Sequence, residues 1–218
     1  MSPLLHSDQT LELVVGKTIF DYADSLSVRV PTSCGRSGEC HECIVEVRNG
    51  MDALNPTTTS ENFLRDNYRL ACQAEVINTD ADVEFAILRR QPRILTDSIH
   101  RKVSLDPMTV RKGNDVFFQN QRIDSYRGNI HGLAIDVGTT TVVLNLVDLE
   151  SGDIKYTTSF ENPQRFGGSD IMHRISYDGG EYHGELQQVL LSSINFEIGE
   201  MCRRLGCHRR QIYEAVVV

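Results

Sequence analysis

Three thiols fall within ten residues in the stretch Cys34-Gly-Arg-Ser-Gly-Glu-Cys40-His-Glu-Cys43, and a fourth, Cys72, follows inside Tyr68-Arg-Leu-Ala-Cys72-Gln-Ala74. The gaps between successive cysteines are five, two and 28 residues. Thiolates are ligands for soft metal ions, and four of them complete a coordination set. A short loop can wrap a metal group on three sides while a distant strand closes the fourth. Gly35, Ser37 and Gly38 suit such a loop, because small residues let the backbone take left-handed angles and turn its N–H groups toward negatively charged sulfur. The loop is expected to be shaped by the group it holds.

The spacing is close to that of plant-type 2Fe-2S clusters, which have four residues in the first gap instead of five. Structural zinc would present two Cys-x2-Cys pairs or a cysteine pair with a histidine pair. Here only Cys40 and Cys43 form such a pair and Cys34 stands alone. A disulfide framework needs a secreted context, and the N-terminus Met1-Ser-Pro-Leu-Leu-His6 lacks a basic region followed by a long apolar run. His41 does not make a Rieske centre, which uses two histidines and two cysteines. Cys34, Cys40, Cys43 and Cys72 are therefore the expected ligands of one 2Fe-2S cluster, with His41 a loop residue near the solvent-exposed edge.

The elements that must position these sulfurs are legible around them. Leu11–Val15 reads as a strand ending at Gly16, and Thr18 can cap a short helix running to Leu26. Val28–Val30 is extended and leads through Pro31 into the cysteine loop. Ile44–Val47 alternates as a half-buried strand and stops at the turn pair Asn49-Gly50. Thr58 with Glu61 forms a capping box for a brief helix carrying Phe63 and Leu64. A strand carrying Cys72 and an alternating strand over Val83–Ile87 complete the set.

With 218 residues, 40% hydrophobic and 24% charged, the chain has an ordinary globular composition with room for two small domains. No apolar run approaches the roughly 18 residues of a membrane helix, and no targeting segment is evident, so the expected location is the cytoplasm. The net charge of −8 divides unevenly, with −6 over residues 1–92, +3 over 93–131 and −5 over 132–218. An acidic surface favours solubility, and it also steers an electron carrier to basic patches on redox partners. Neither acidic region could neutralise phosphates, which argues against nucleic acid.

Residues 93–131 lose periodicity and read as a linker with a strand or hairpin at most. From Gly132 the chain becomes strand-rich: 132–137, 142–149 and 154–160 are three successive strands, the first two joined by Gly138-Thr-Thr. A helix over about Gly168–Tyr177 follows. Leu186, Leu190, Ile194, Ile198, Met201 and Leu205 then mark a long helix stopped by Gly206. Ile212–Val218 reads as a fourth strand, and a domain that stops there looks like the N-terminal portion of something longer. Asp136, Gly138, Thr139 and Thr140 could cradle a phosphate and hold magnesium through water, and the same spacing also fits a plain hairpin. Cys202 reads as a small core residue and Cys207 lies past the helix stop, with too few companions for a metal site.

The order of strands, one helix and a cysteine loop resembles the β-grasp fold of 2Fe-2S ferredoxins. The Asp136–Thr140 bend resembles the first phosphate-binding hairpin of the actin, hexokinase and heat-shock ATPase superfamily. Together they resemble the reductive activators of corrinoid-dependent enzymes, which couple ATP hydrolysis to one-electron reduction of a cobalt(II) corrinoid to cobalt(I). The resemblance implies an α+β chain: a β-grasp ferredoxin domain over 1–92, a linker over 93–131, and a partial α/β ribonuclease-H-like ATPase domain over 132–218. It implies Cys34, Cys40, Cys43 and Cys72 as cluster ligands and Asp136, Gly138, Thr139 and Thr140 as nucleotide contacts. By the same resemblance, Phe160–Asp170 lies near the nucleotide cleft. The implied partners are a corrinoid protein or other redox partner and an electron-donating reductase. A plant-type cluster sits near −400 mV, and a shortfall of roughly 200 mV against cobalt(I) would cost about 5 kcal/mol, which explains an ATPase on the same chain.

Two departures stand out: only about 40 residues separate the two parts, and the second phosphate loop and adenosine segment are absent, so ATPase activity needs a further segment. Two other functions fit the same residues. One is a simple 2Fe-2S module serving an oxygenase or reductase, with the second part as a docking scaffold. The other is a sugar-kinase-like phosphotransferase regulated by a redox cluster.

Overall fold

The computed structural model describes residues 2–88 and 105–218. The chain is α+β, with mixed sheets and few helices. It divides into two compact units, Met1–Arg90 with Pro163–Ile194, and Gln91–Asn162 with Asn195–Val218. The expected boundary at 92 and the first part of the expected linker, 93–104, lie outside the described residues.

The first unit is built on a five-stranded sheet of order β2-β1-β5-β3-β4. β1 (Pro3–His6) and β2 (Gln9–Glu12) form a hairpin, and β1 runs parallel to β5 (Val83–Ile87). β3 (Ile44–Asn49) lies antiparallel between β5 and β4 (Tyr68–Leu70). The strand expected over 11–15 is displaced. Only Leu11 and Glu12 join it, because Val14 and Val15 are exposed and the hairpin partner is the short Pro3–His6 segment, which carries no strand alternation of its own.

Helix α1 (Ile19–Ser25) starts where the sequence places it. Thr18 caps it, and Asp21 reaches back to the Thr18 amide at 2.9 Å. Ile19, Phe20, Tyr22 and Ala23 bury one face of α1 with Leu4, Val45, Leu70, Val83 and Phe85. The Thr58–Glu61 capping box is present, but it opens a single 3-10 turn (Thr59–Glu61) that ends before Phe63 and Leu64. No strand forms at Val28–Val30, and Cys72 sits just past the end of β4.

Residues Pro163–Ile194 belong to this same unit. A 3-10 turn (Pro163–Gly167), helix α2 (Ile171–Asp178) and the first half of α3 (Glu185–Leu205) bring Phe166, Tyr177, Leu186 and Val189 into the same core as β1, β3, β4 and β5. Rings link them. Phe63 meets Phe166 edge-on at 5.7 Å, Phe166 meets Tyr177 edge-on at 5.6 Å, and the Tyr177 hydroxyl donates to the Phe63 carbonyl.

The second unit holds two sheets. β6 (Thr109–Lys112), β7 (Asp115–Phe118) and β8 (Gln121–Ser125) form an antiparallel meander where a linker with at most a hairpin was expected. Its basic residues serve it locally: Arg111 lies over Tyr126 at 3.7 Å and Lys112 over Phe117 at 5.1 Å. The other sheet has the order β11-β10-β9-β12, with β9 (His131–Val137), β10 (Thr141–Asp148) and β11 (Ile154–Glu161) antiparallel and β12 (Ile212–Val217) parallel to β9. α3 ends as expected at Gly206, whose φ is +65°, with the Cys207 amide donating to the Cys202 carbonyl at 3.1 Å.

Candidate metal centre

The β3–β4 ladder brings the distant thiol to the loop. Ile44 pairs with Leu70, the Ala71 amide donates to the Cys43 carbonyl at 2.8 Å, and the Cys43 and Cys72 sulfurs lie 3.4 Å apart. Both are buried, at 1% and 8% exposure, whereas Cys34 and Cys40 are half-buried.

The loop gets its path from residues held in the left-handed region. Gly35, Arg36, Gly38 and His41 have φ of +65°, +74°, +87° and +55°. For Arg36 and His41 that conformation is unfavourable, so the surroundings must hold it. Arg36 is held by Asp21 at 3.2 Å, by Asp24, and by the Phe20 ring under its guanidinium at 4.1 Å, all from α1. His41 stacks on Phe63 at 4.1 Å and shares a 2.9 Å hydrogen bond with Glu185. At Gly38 a side chain would meet Gln73 and Ser60 at 3.1 Å.

The electrostatics separate the sulfurs into two pairs. Burial opposes ionisation of Cys34, but the Ser37 hydroxyl, the Cys40 thiol and the amides of Cys40 and Glu39 override it and bring its pKa down to about 5. Cys43 donates its thiol proton to Cys72. That hydrogen bond and burial push Cys43 far up, while Cys72 comes down to about 7, helped by the Gln73 amide at 3.5 Å. One pair is thus Cys34 with Cys40, the other Cys43 with Cys72.

Among the described residues no three His, Cys, Asp or Glu side chains converge as a single bound ion requires. An all-thiol donor set with N–H and O–H donors aimed at the sulfurs fits a two-iron cluster, which Cys34, Cys40, Cys43 and Cys72 would hold. Sequence reasoning named the four cysteines. It missed Gln73, Glu185 and Gln188, which carry no spacing signal because they reach the loop from separate elements.

The second set stays on its bend. Gly138 donates its amide to the Thr141 carbonyl at 3.0 Å, and a side chain there would strike that oxygen at 2.8 Å. Asn162 fastens the bend, donating through Nδ2 to the Gly138 carbonyl at 2.9 Å and through its amide to Thr140 at 2.7 Å. Asp136, Thr139 and Thr140 are exposed. Of the segment Phe160–Asp170, Asn162 touches this bend, while Asp170 caps α2.

Residues 4–76, which include all four cysteines, match the 2Fe-2S iron-sulfur cluster binding domain. The 2Fe-2S ferredoxin of Pseudomonas aeruginosa is 33% identical over 93 residues, spanning 37% of this chain and 83% of that protein. Through these residues the chain belongs to the 2Fe-2S ferredoxin family. Its cofactor is a 2Fe-2S cluster. Residues 131–218 match the RACo middle region. The corrinoid activation enzyme RamQ of Eubacterium limosum is 22% identical over 257 residues and covers 98% of this ferredoxin-family chain, which in turn spans 43% of RamQ. The chain therefore spans less than half the length of that curated relative. A solved reductive activator for a corrinoid, iron-sulfur protein aligns over all of this chain and 47% of its own, with 22% identity and a TM-score of 0.47. No described helix is long and apolar enough to cross a membrane.

Proposed function

We propose that this chain is the electron-carrying part of a reductive activator, passing one electron to a cobalt(II) corrinoid held by a partner protein and restoring cobalt(I). One observation carries the reading: four thiols in two pairs, in a ferredoxin-family domain, share a chain with a RACo middle region and with homology to RamQ over 98% of its length.

When bound, a 2Fe-2S cluster supplies a one-electron couple. The chain's own residues do the rest. Ser37, the amides of Glu39 and Cys40, and Gln73 aim hydrogen-bond donors at sulfur and stabilise its negative charge. Burial of Cys43 and Cys72 keeps water from one pair. The half-buried Cys34 and the exposed Gly35–Ser37 tip leave an approach for the partner. All six cysteines are free, which suits a reducing cytoplasm.

The finer fold reading is a β-grasp first domain and a second sheet that begins a ribonuclease-H-like ATPase. It is supported by three antiparallel strands followed by a helix and a fourth strand parallel to the first. Under it, Asp136, Gly138, Thr139 and Thr140 are the phosphate and magnesium contacts, and Asn162 holds their bend.

The test is anaerobic. The reduced protein is mixed with a cobalt(II) corrinoid protein, with and without Mg·ATP, and cobalt(I) is followed by its visible absorption. Cobalt(I) formed only with this protein supports the reading. Electron delivery to an oxygenase or reductase with no corrinoid reduction favours the plain ferredoxin module and overturns it. Faster reduction with Mg·ATP supports the nucleotide part, and loss of that acceleration in Thr139→Ala would place the phosphate at the bend.

A further inference from the structure

Three residues of α3 reach the cluster loop, and the spacing of Glu185, Gln188 and Ser192 places them on one helix face. Each meets a different residue of Cys40–Glu42. Gln188 donates through Nε2 to the Cys40 carbonyl at 3.1 Å, Glu185 binds the His41 ring nitrogen at 2.9 Å, and Ser192 donates to the Glu42 carboxylate at 3.4 Å. Leu186 and Val189 anchor the helix beneath them at 6% and 3% exposure. His41, in its unfavourable left-handed conformation, sits between Glu185 and the Phe63 ring. None of these helix residues lies in the segment matched to the ferredoxin family; they come from the RACo middle region.

We infer that this face of α3 is a brace for the cluster loop, with Gln188 and Glu185 as positioning residues that fix Cys40 and tune the reduction potential. The inference rests on Cys40 and Cys43 being cluster ligands. The Gln188 N–H directs the positive end of its dipole at the peptide of one ligand. A reduced cluster carries one more negative charge, so this dipole stabilises the reduced form more than the oxidised one. Removing it lowers the potential. Glu185 acts differently, holding the His41 backbone in the conformation that lets Cys40 and Cys43 face the same group.

The test uses the full chain, reconstituted anaerobically, with potentials read by EPR-monitored titration. Gln188→Leu keeps the size and removes the donor. It is expected to shift the electron-transfer equilibrium against reduction by roughly threefold, about 28 mV for one electron. Gln188→Glu, which turns an acceptor toward the Cys40 carbonyl, is expected to shift it further in the same direction. Gln187→Leu, at the exposed neighbouring position, is expected to change nothing. Glu185→Gln is expected to broaden the EPR lines and speed hydrogen exchange at residues 39–42. Folding is checked separately by thermal melting. Potentials, EPR lines and exchange unchanged in folded Gln188→Leu and Glu185→Gln overturn the brace. A wild-type chain that takes up no 2Fe-2S cluster overturns the ligand reading instead, a result visible before any variant is made.

Discussion

The Glu61 carboxylate and the Arg69 guanidinium meet at 2.7 Å in the interior, with side chains 0% and 1% exposed. Glu61 also accepts from the Leu70 amide at 2.9 Å, the Thr58 amide at 2.8 Å and the Thr58 hydroxyl at 3.1 Å, while Arg69 donates to the Asn55 carbonyl at 2.9 Å. Charges this deep need a full set of partners, and here they have one. The pair holds β4 and therefore the approach to Cys72.

Removing one member leaves the other charge uncompensated, so Glu61→Gln is expected to cost about 3–5 kcal/mol, read by urea unfolding of the apo protein. Burial raises the Glu61 pKa, but Arg69 and the Thr58 and Leu70 amides outweigh it and leave it below the ordinary glutamate value. Its contribution is then complete above the unfolded pKa, about 4.3, and disappears as pH falls through the lower folded value. Wild type should therefore lose stability faster than Glu61→Gln on acidification below about pH 4.3. Parallel curves would refute the assignment.

The sulfur pairing makes a sharp distinction among six cysteines. Cys43→Ser or Cys72→Ser is expected to abolish the 2Fe-2S absorption and leave little iron per chain. Cys202→Ser and Cys207→Ser, in the other unit, are expected to keep both. Equal iron in all four variants would show the metal to be bound elsewhere.

Gly50 and Gly113 both have left-handed backbones, with φ of +78° and +63°, but only Gly50 is crowded. A side chain there would sit 2.3 Å from the Asp82 carbonyl, whereas at Gly113 nothing lies within 4 Å. Gly113→Ala should cost roughly 1–2 kcal/mol from conformation alone. Gly50→Ala should cost clearly more, because the strand at Val83 must move. Chemical denaturation of the two variants gives the difference directly; equal costs would mean that Gly50 has room.

Tyr177→Phe removes the hydroxyl that donates to the Phe63 carbonyl and leaves that buried oxygen without this donor. The expected loss is about 1–3 kcal/mol in thermal or urea unfolding. A melt unchanged from wild type would mean that water or another donor replaces it.

Much of the site was legible because its signals are local. The Cys34–Cys43 run, the helix cap at Thr18, the capping box at Thr58 and the stop at Gly206 each depend on residues close in sequence. The β1–β2 hairpin was missed because Pro3–His6 is short and its turn relies on Ser7 at φ +53°. The β6–β8 meander was read as mostly linker because Val116 is the only fully buried hydrophobic residue of its strands. Arg69 finding Glu61, and Gln188 finding Cys40, have no periodic relation at all; they exist only once the chain has closed. The same holds for Phe166 and Tyr177, which looked like part of the second domain and instead share the core of the first.

Glu61 and Arg69 satisfy one another and the backbone around them, so the Thr58 turn and the strand leading to Cys72 are fastened together, and a change that loosens one end is felt at the other.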